Sequence, residues 1–381
     1  MKPFSKPVSR IAPFPVDESS PLRRLGNVHW GPLAAALLLA MVGLATVHSA
    51  SAELPFDHSP KQALWVVIGC FALAVIFSID YHRLLALAPI FYALGLGLLA
   101  LVLTIGQYRG GARSWLLIGP VSLQPSEFAK LATALLLTRY LAGVKKPYLS
   151  FREMAVAAGI AGLPMLLIAL ERDLGSAVMF CPMLAGLLLV CGIRWRHFFI
   201  ASILGLVLAA GLWTFGMREY QRTRIVSFLS PEADPLGAGY QVRQSKIAVG
   251  SGQWLGRGYK QGTQSQLRFL PERHTDFIMA VLAEEWGFAG VLTVLGLYSL
   301  FILSGANIAM RSRDRAGILL VVGLLALFAF HVLYNSAMVV GLLPITGIPL
   351  PFLSYGGSFM LVNFLATGLI LNVDFRRYVN R

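Results

Sequence analysis

The chain has 381 residues, 56% of them hydrophobic and 13% charged, and a formal net charge of +14. Soluble globular domains carry about 25% charged residues, so the composition excludes a water-soluble domain and places the chain in lipid. Of the 32 Lys and Arg, 17 fall in tails and loops on one side of the predicted membrane and four in short loops on the other. Two lie inside a span and nine in one long loop that the positive-inside rule discounts, so the basic excess orients the chain and is not a nucleic-acid footprint.

Residues 1–29 are polar and rich in proline and basic residues (Lys2, Lys6, Arg10, Arg23, Arg24), which predicts a disordered cytoplasmic tail able to lie on anionic lipid. Ten continuous apolar runs follow, at 30–50, 61–79, 84–105, 126–143, 154–170, 174–193, 197–216, 277–304, 316–343 and 356–373. Each is long enough to cross about 30 Å of hydrocarbon as a helix. The runs do not alternate, and lipid admits only helices or closed barrels, so helices are predicted. Ala50-Ser51-Ala52 imitates a signal-peptidase site, but the segment before the first run is too long, so that helix reads as uncleaved.

An even number of spans returns both termini to one side. The short loops on the opposite side hold only Lys61, Arg109, Arg113 and Arg172, so the termini are expected in the cytoplasm. The fold class predicted is an all-α polytopic membrane protein of ten transmembrane helices. One membrane domain covers 30–375, a large extracytoplasmic loop (217–275) joins helices 7 and 8, and 376–381 form a cytoplasmic tail. Cys70, Cys181 and Cys191 fall inside spans without ligand spacing and read as buried free thiols.

The loop before the fourth span, QYRGGARSWLLIGPVSLQPSEFAK, is broken into turns by Gly110-Gly111 and Gly119-Pro120. It enters the span through Pro125-Ser126, with Ser126 as the expected N-cap. Glu127 and Lys130 follow at i,i+3 on one helix face. Ionisable residues cost about 2.5–3.5 kcal/mol at mid-membrane. The pair therefore reads either as a structural ion pair near the interface or as a charged wall of an outward-facing cavity. The turn Glu171-Arg172-Asp173-Leu174-Gly175 is either a solvated hairpin or a second contributor to that cavity through Asp173.

The long loop is basic (Arg218, Arg222, Arg224, Arg243, Lys246, Arg257, Lys260, Arg268, Arg273) and carries a weakly amphipathic piece, Tyr240 to Val249, expected in the membrane interface. It suits an anionic ligand such as a pyrophosphate, or lipid head groups in general. His331 and Asn335, at i,i+4 on the ninth span, read as interhelical hydrogen-bond partners. The segment GLLPITGIPLPFLSYGGS (341–358) has too much proline and glycine for regular helix and reads as a re-entrant lip.

Between these lies GTQSQLRFLPERHTDFIMAVLAEE (262–285), where a charged loop turns into an apolar helix at Asp276. Asp276 is either the first residue of a helix capped by Thr275, a placement worth about 0.3–1 kcal/mol, or a reactive carboxylate at the membrane boundary. No P-loop, metal-ligand cluster, Ser–His–Asp spacing or dinucleotide fingerprint is present in the sequence.

The runs DPLGAGYQVRQSKIAVGSG and GTQSQLRFLPERHTDFIMAVLAEEWG, with QPSEFAK and GLLPITGIPLPFLSYGGS, strongly resemble the SEDS family (shape, elongation, division and sporulation). The form GTQSQLRFLPERHTDF inclines the resemblance to the elongation branch. One departure is Glu171-Arg172 where Gln-Pro is expected before Asp-Leu-Gly. The resemblance implies a peptidoglycan glycosyltransferase that polymerises lipid II outside the cytoplasmic (inner) membrane. It implies partnership with a class B penicillin-binding protein and other elongation-complex membrane proteins, an undecaprenyl-pyrophosphate-linked glycan as donor, and no nucleic acid. Asp276 matches the family's essential acid, and Glu127 and Lys130 match its fourth-span pair. Arg113, Asp173, Lys246, Gln264, Ser265, Arg273, His274, Thr275, Ser354 and Ser358 are the substrate-binding candidates. A divalent cation, Mg2+ or Mn2+, is one way to neutralise the leaving pyrophosphate. Two other readings stay open: a lipid-linked precursor flippase, and a non-catalytic scaffold for a penicillin-binding protein.

Overall fold

The computed structural model describes residues 25–52, 57–109, 112–119, 121–197, 199–200, 203, 205, 211, 214, 226–228, 230 and 237–377. Within them run α1 (Gly31–Ser51), α2 (Ser59–Ser78), α3 (Tyr81–Ile105), β1 (Gln107–Arg109), β2 (Ala112–Ile118), β3 (Val121–Leu123), α4 (Pro125–Ala142), α5 (Phe151–Leu170), α6 (Leu174–Val178), α7 (Phe180–Cys191), α8 (Ala238–Gly252), α9 (Thr263–Gln266), α10 (Ile278–Arg311), α11 (Arg315–Val339) and α12 (Gly357–Arg376). Eight helical stretches are long and apolar enough to cross a membrane, α6 and α7 together forming one of them. They match the predicted spans except the fourth and seventh. The fourth, α4, is helical but carries Glu127, Lys130 and Arg139. The seventh, at 197–216, lies largely outside the described residues, as do residues 1–24 of the predicted tail.

Polar residues between the apolar runs set the helix ends. Asp80 caps α3 through its carboxylate and the His82 N–H (2.9 Å), and Ser150 with Glu153 forms a capping box at α5. Asp314 accepts from Gly317 N at the start of α11 (3.1 Å). At the other end of α11, Leu342 N bonds Ala337 O and Gly341 N bonds Met338 O, with Gly341 at φ 74°. This is a Schellman stop, and it needs a residue at ease in the left-handed region.

The turns gather at two ends of the bundle. At one, Tyr81 Oη donates to Asp314 Oδ1 (2.6 Å), Arg376 to Ser78 O (2.9 Å) and Asn372 Nδ2 to the carbonyls of Ile76 and Phe77. At the other sit the predicted lip, the described part of the basic loop from 237 on, and Asp276. Between them α12 packs along α2, α3 along α4, and α10 along α1, α8 and α11.

Three local expectations are corrected. The loop 107–123, read as turns, is a three-stranded antiparallel sheet in which β2 pairs with both β1 and β3. Ser126 is not the cap of α4; Gln124 precedes a helix that opens on Pro125, and Ser126 is buried in its first turn. The piece 240–249 belongs to α8, packed against α10 and α11 with Val242, Ser245 and Ala248 buried and Ser245 Oγ donating to Val339 O (2.7 Å). Its apolar face is taken by protein rather than by the interface.

The predicted eighth span is also not one continuous helix. α10 breaks at Gly287 (φ 66°, ψ −163°). The segment after α8 supplies the groups the break sets free. Arg257 N and Gly258 N donate to Glu284 O and Glu285 O (3.0 Å each), while Gln253 O and Trp254 O accept from Phe288 N and Ala289 N. Broken backbone at membrane depth is stable only when satisfied in this way.

Candidate active site

Asp276 lies in a turn, Glu272 to Phe277, ahead of α10. The N–H groups of Thr275, Asp276 and Phe277 converge on Glu272 O at 3.1, 3.1 and 3.3 Å. α10 starts at Ile278 with Phe277 at the N-cap and no side-chain cap. Thr275 is therefore not the cap: its hydroxyl faces Glu272 O (3.1 Å) and Oε2 (3.2 Å). Asp276 thus lies two residues before the helix rather than in its first turn.

Three consecutive carbonyls of this turn are each clamped by another element. Tyr355 N donates to His274 O (2.9 Å), Ser354 Oγ to Thr275 O (2.7 Å) and Asn335 Nδ2 to Asp276 O (2.8 Å). The clamps are themselves held: Leu350 N donates to Ser354 Oγ (2.8 Å), Gln62 Nε2 to Ser354 O (3.1 Å), and Asn335 Nδ2 also to Ile348 O (2.7 Å). The lip is thus packed inside the fold, with Leu350, Phe352 and Leu353 buried. Its Gly347, at φ 75°, lies beside the Asp276 carboxylate; a Cβ there would come within 3.5 Å of Oδ2.

Asp173 joins this neighbourhood from α6. Gly175 abuts Thr346 O with no room for a side chain. Asp173 Oδ1 caps α6 through Ser176 N (3.0 Å), and Oδ2 accepts from Gln124 Nε2 (3.1 Å). Gln124 N in turn donates to Ser358 Oγ (3.1 Å). Next to it Glu171 is buried with neither carboxyl oxygen bonded, and burial, followed by the negative charge of Asp173, pushes its pKa up to about 8. The structure therefore assembles Asp276, His274, Thr275, Ser354, Ser358 and Asp173 around the lip.

The other candidates serve elsewhere. Arg113 spreads its guanidinium over the last carbonyls of α3, with Nε on Gly106 O (2.7 Å), Nη1 on Leu103 O (2.9 Å) and Nη2 on Thr104 O. It is a helix C-cap, where cations are favoured by the orphan carbonyls and the dipole. Arg273 is buried, with Nε on Ala50 O (2.7 Å) and Nη1 on Ser265 O. Gln264 and Ser265 present their N–H groups to the two oxygens of buried Glu284 (2.8 and 3.1 Å). These three fasten α9 to α1 and α10. Lys246 stays exposed, its amine over Gly341 at the end of α11.

Glu127 and Lys130 form a buried ion pair at 2.9 Å, each residue 3% exposed. With His331, Phe359 and Asn363 they line a cavity of about 30 Å³, room for one or two waters. Asp276 is not among its walls. The connection runs through the lip: His331 donates from Nδ1 to Pro349 O (3.0 Å), and Asn335, one turn along α11, holds the Asp276 carbonyl. Asn335 is the site residue that the sequence signalled only as a generic hydrogen-bond partner. Gln62 carried no signal and Gln124 only as the first residue of QPSEFAK, since each works through chain segments remote in sequence.

A multi-pass helical bundle with an acid presented from a clamped turn defines the class, and the chain belongs to the cell cycle protein family of FtsW, RodA and SpoVE, whose model matches residues 30–379. It is 39% identical to the peptidoglycan glycosyltransferase MrdB of Escherichia coli K12 over 92% of this chain and 95% of that protein. It is 34% identical to the peptidoglycan glycosyltransferase RodA of Treponema pallidum over 93% and 99%. It also superposes on a chain of a solved peptidoglycan synthase complex that coordinates polymerization and crosslinking, with a TM-score of 0.80 at 30% identity over 92% of this chain and 98% of that one.

Proposed function

We propose that the chain is a peptidoglycan glycosyltransferase that polymerises lipid II on the outer face of the cytoplasmic membrane during elongation, with Asp276 as general base. The observation that carries this reading, beside the full-length similarity to named peptidoglycan glycosyltransferases, is the clamped turn. Fixing the carbonyls of His274, Thr275 and Asp276 from three sides fixes the backbone that presents the carboxylate, the kind of positioning that proton transfer needs.

In this reading the 4-hydroxyl of the acceptor GlcNAc attacks C1 of the donor MurNAc with inversion, and Asp276 takes the hydroxyl proton. Undecaprenyl pyrophosphate leaves without a general acid, so one carboxylate suffices where glycosidases use two. With Arg113 and Arg273 committed to backbone carbonyls, Lys246 is the named candidate left to face the pyrophosphate. Among the described residues no group of three or more His, Cys, Asp and Glu side chains is placed to hold a metal. Asp173 and Ser358 support the neighbourhood through Gln124, and Ser354 holds the Thr275 carbonyl. Ten spans with cytoplasmic termini put Asp276 outside, where a class B penicillin-binding protein would crosslink the product. The similarity to a chain of a peptidoglycan synthase complex supports that partner.

The experiment is polymerisation of fluorescent lipid II by the purified full chain with and without its transpeptidase partner, read as glycan strands on a gel. Strands are expected from the wild type. Lipid movement across vesicles with no strand formation would instead identify a flippase.

A further inference from the structure

Two histidines and a tyrosine from three segments meet beside the Asp276 turn. His58, immediately before α2, stacks on His274 with ring centroids 4.8 Å apart and planes 18° from parallel. Tyr355 of the lip lies 4.7 Å from His58 and 5.8 Å from His274. His274 is two residues from Asp276, and Tyr355 N clamps its carbonyl. The stack therefore adds a side-chain contact between the α1–α2 turn and the turn that presents the acid. We propose that His58 is a positioning residue for Asp276, acting through its ring contact with His274, and that this contact holds while the two imidazoles share at most one proton.

The electrostatics around the pair support this. Burial is the largest influence on each ring and lowers both pKa values below the usual imidazole range. Lys61 adds to the lowering at His58, and Asp57 opposes it. At His274 the lowering is reinforced by His58 and Arg273 and opposed by Glu272. Asp57 is already engaged by Ser59 and His48 (2.7 and 3.1 Å), and Glu272 by Thr275 (3.2 Å). These charged groups act on the pair among the described residues, and Tyr355 of the lip packs against both rings. At neutral pH the rings are uncharged and pack face to face. Acidification puts two positive charges on parallel rings that burial already disfavours, so the stack opens and the turn loosens.

The inference rests on the glycosyltransferase reading for its catalytic consequence, but its structural half is measured separately. Hydrogen–deuterium exchange of the full chain in detergent, corrected for intrinsic pH dependence, reports the Thr275, Asp276, Phe277 and Tyr355 amides. In the wild type their protection is expected to fall as the pH drops below the imidazole range. In His58→Phe, which keeps the ring and loses the proton site, protection should persist to lower pH. In His58→Ala it should be lost at every pH. Polymerisation profiles, each normalised to its own maximum, should follow: an acid limb shifted to lower pH for His58→Phe, and about tenfold lower kcat with little change in KM for His58→Ala, a size typical of a slightly misplaced catalytic group. Identical exchange profiles for wild type and His58→Phe, or unchanged protection in His58→Ala, would overturn the proposal. Exchange as expected with no glycan strands from any variant would leave the positioning role standing and remove the glycosyltransferase reading.

Discussion

Asp276 combines a mobile chemical demand with an immobile support. A base that accepts a sugar proton works best when it is held in place, and here the turn that carries it is fixed by carbonyl clamps. Asp276→Asn keeps the volume and removes the base, so polymerisation should fall by about 10²–10⁴-fold with the melting temperature unchanged; strand formation at the wild-type rate would refute the assignment. Asn335→Ala strips the donor from Asp276 O and Ile348 O. Leaving a buried carbonyl unpaired costs about 1–3 kcal/mol, so this variant should lose both melting temperature and kcat, with lipid II KM less affected. Glu171 gives the pH prediction at this scale. Its folded pKa, about 8, stands above the ordinary 4.5 because burial and then Asp173 disfavour its anion. A raised folded pKa contributes stability that is complete below the unfolded pKa and is lost as pH rises through the folded one. Glu171→Gln, neutral throughout, should therefore gain in melting temperature over wild type as the pH climbs from about 4.5, with the gap levelling above about 8.

At the scale of elements, the informative residues are those whose charge suggested a ligand and whose geometry assigns a fold task. Arg113 closes α3, and Arg273 with Ser265 and Gln264 sews α9 onto α1 and α10. Arg113→Ala is expected to lower the melting temperature through the exposed carbonyls of Leu103, Thr104 and Gly106, while the KM for lipid II stays within about twofold of wild type, the range of uniform binding left intact. A large rise in KM would return Arg113 to substrate binding. The helices themselves were readable: long apolar runs in lipid have one backbone solution. So was the irregular lip, from its prolines and glycines. The sheet at 107–123 and the break at Gly287 were not, because the first depends on strand pairing and the second on carbonyls and amides supplied by residues 253–258. Local pattern carries no record of partners that distant.

For the whole molecule, contacts among 78–82, 314 and 372–376 gather one set of turns, and those among 49–50, 265–276 and 341–358 gather the other. The predicted orientation places the first set in the cytoplasm. In a background with Cys70, Cys181 and Cys191 replaced, the exposed positions Leu267 and Arg313 changed one at a time to cysteine test it with an impermeant maleimide. Leu267→Cys should label in intact cells and Arg313→Cys only after permeabilisation; the reverse pattern would invert the topology. What the amino-acid sequence determined alone was the medium, the helical class and the segment bearing the acid, because hydropathy, charge asymmetry and motif spacing are local quantities. Which charged side chains face a substrate, which ones staple backbone, and how Asp276 is held were decided by the tertiary structure, because a carbonyl clamp exists only when segments like 274–276, Asn335 and 354–355 are brought to one point.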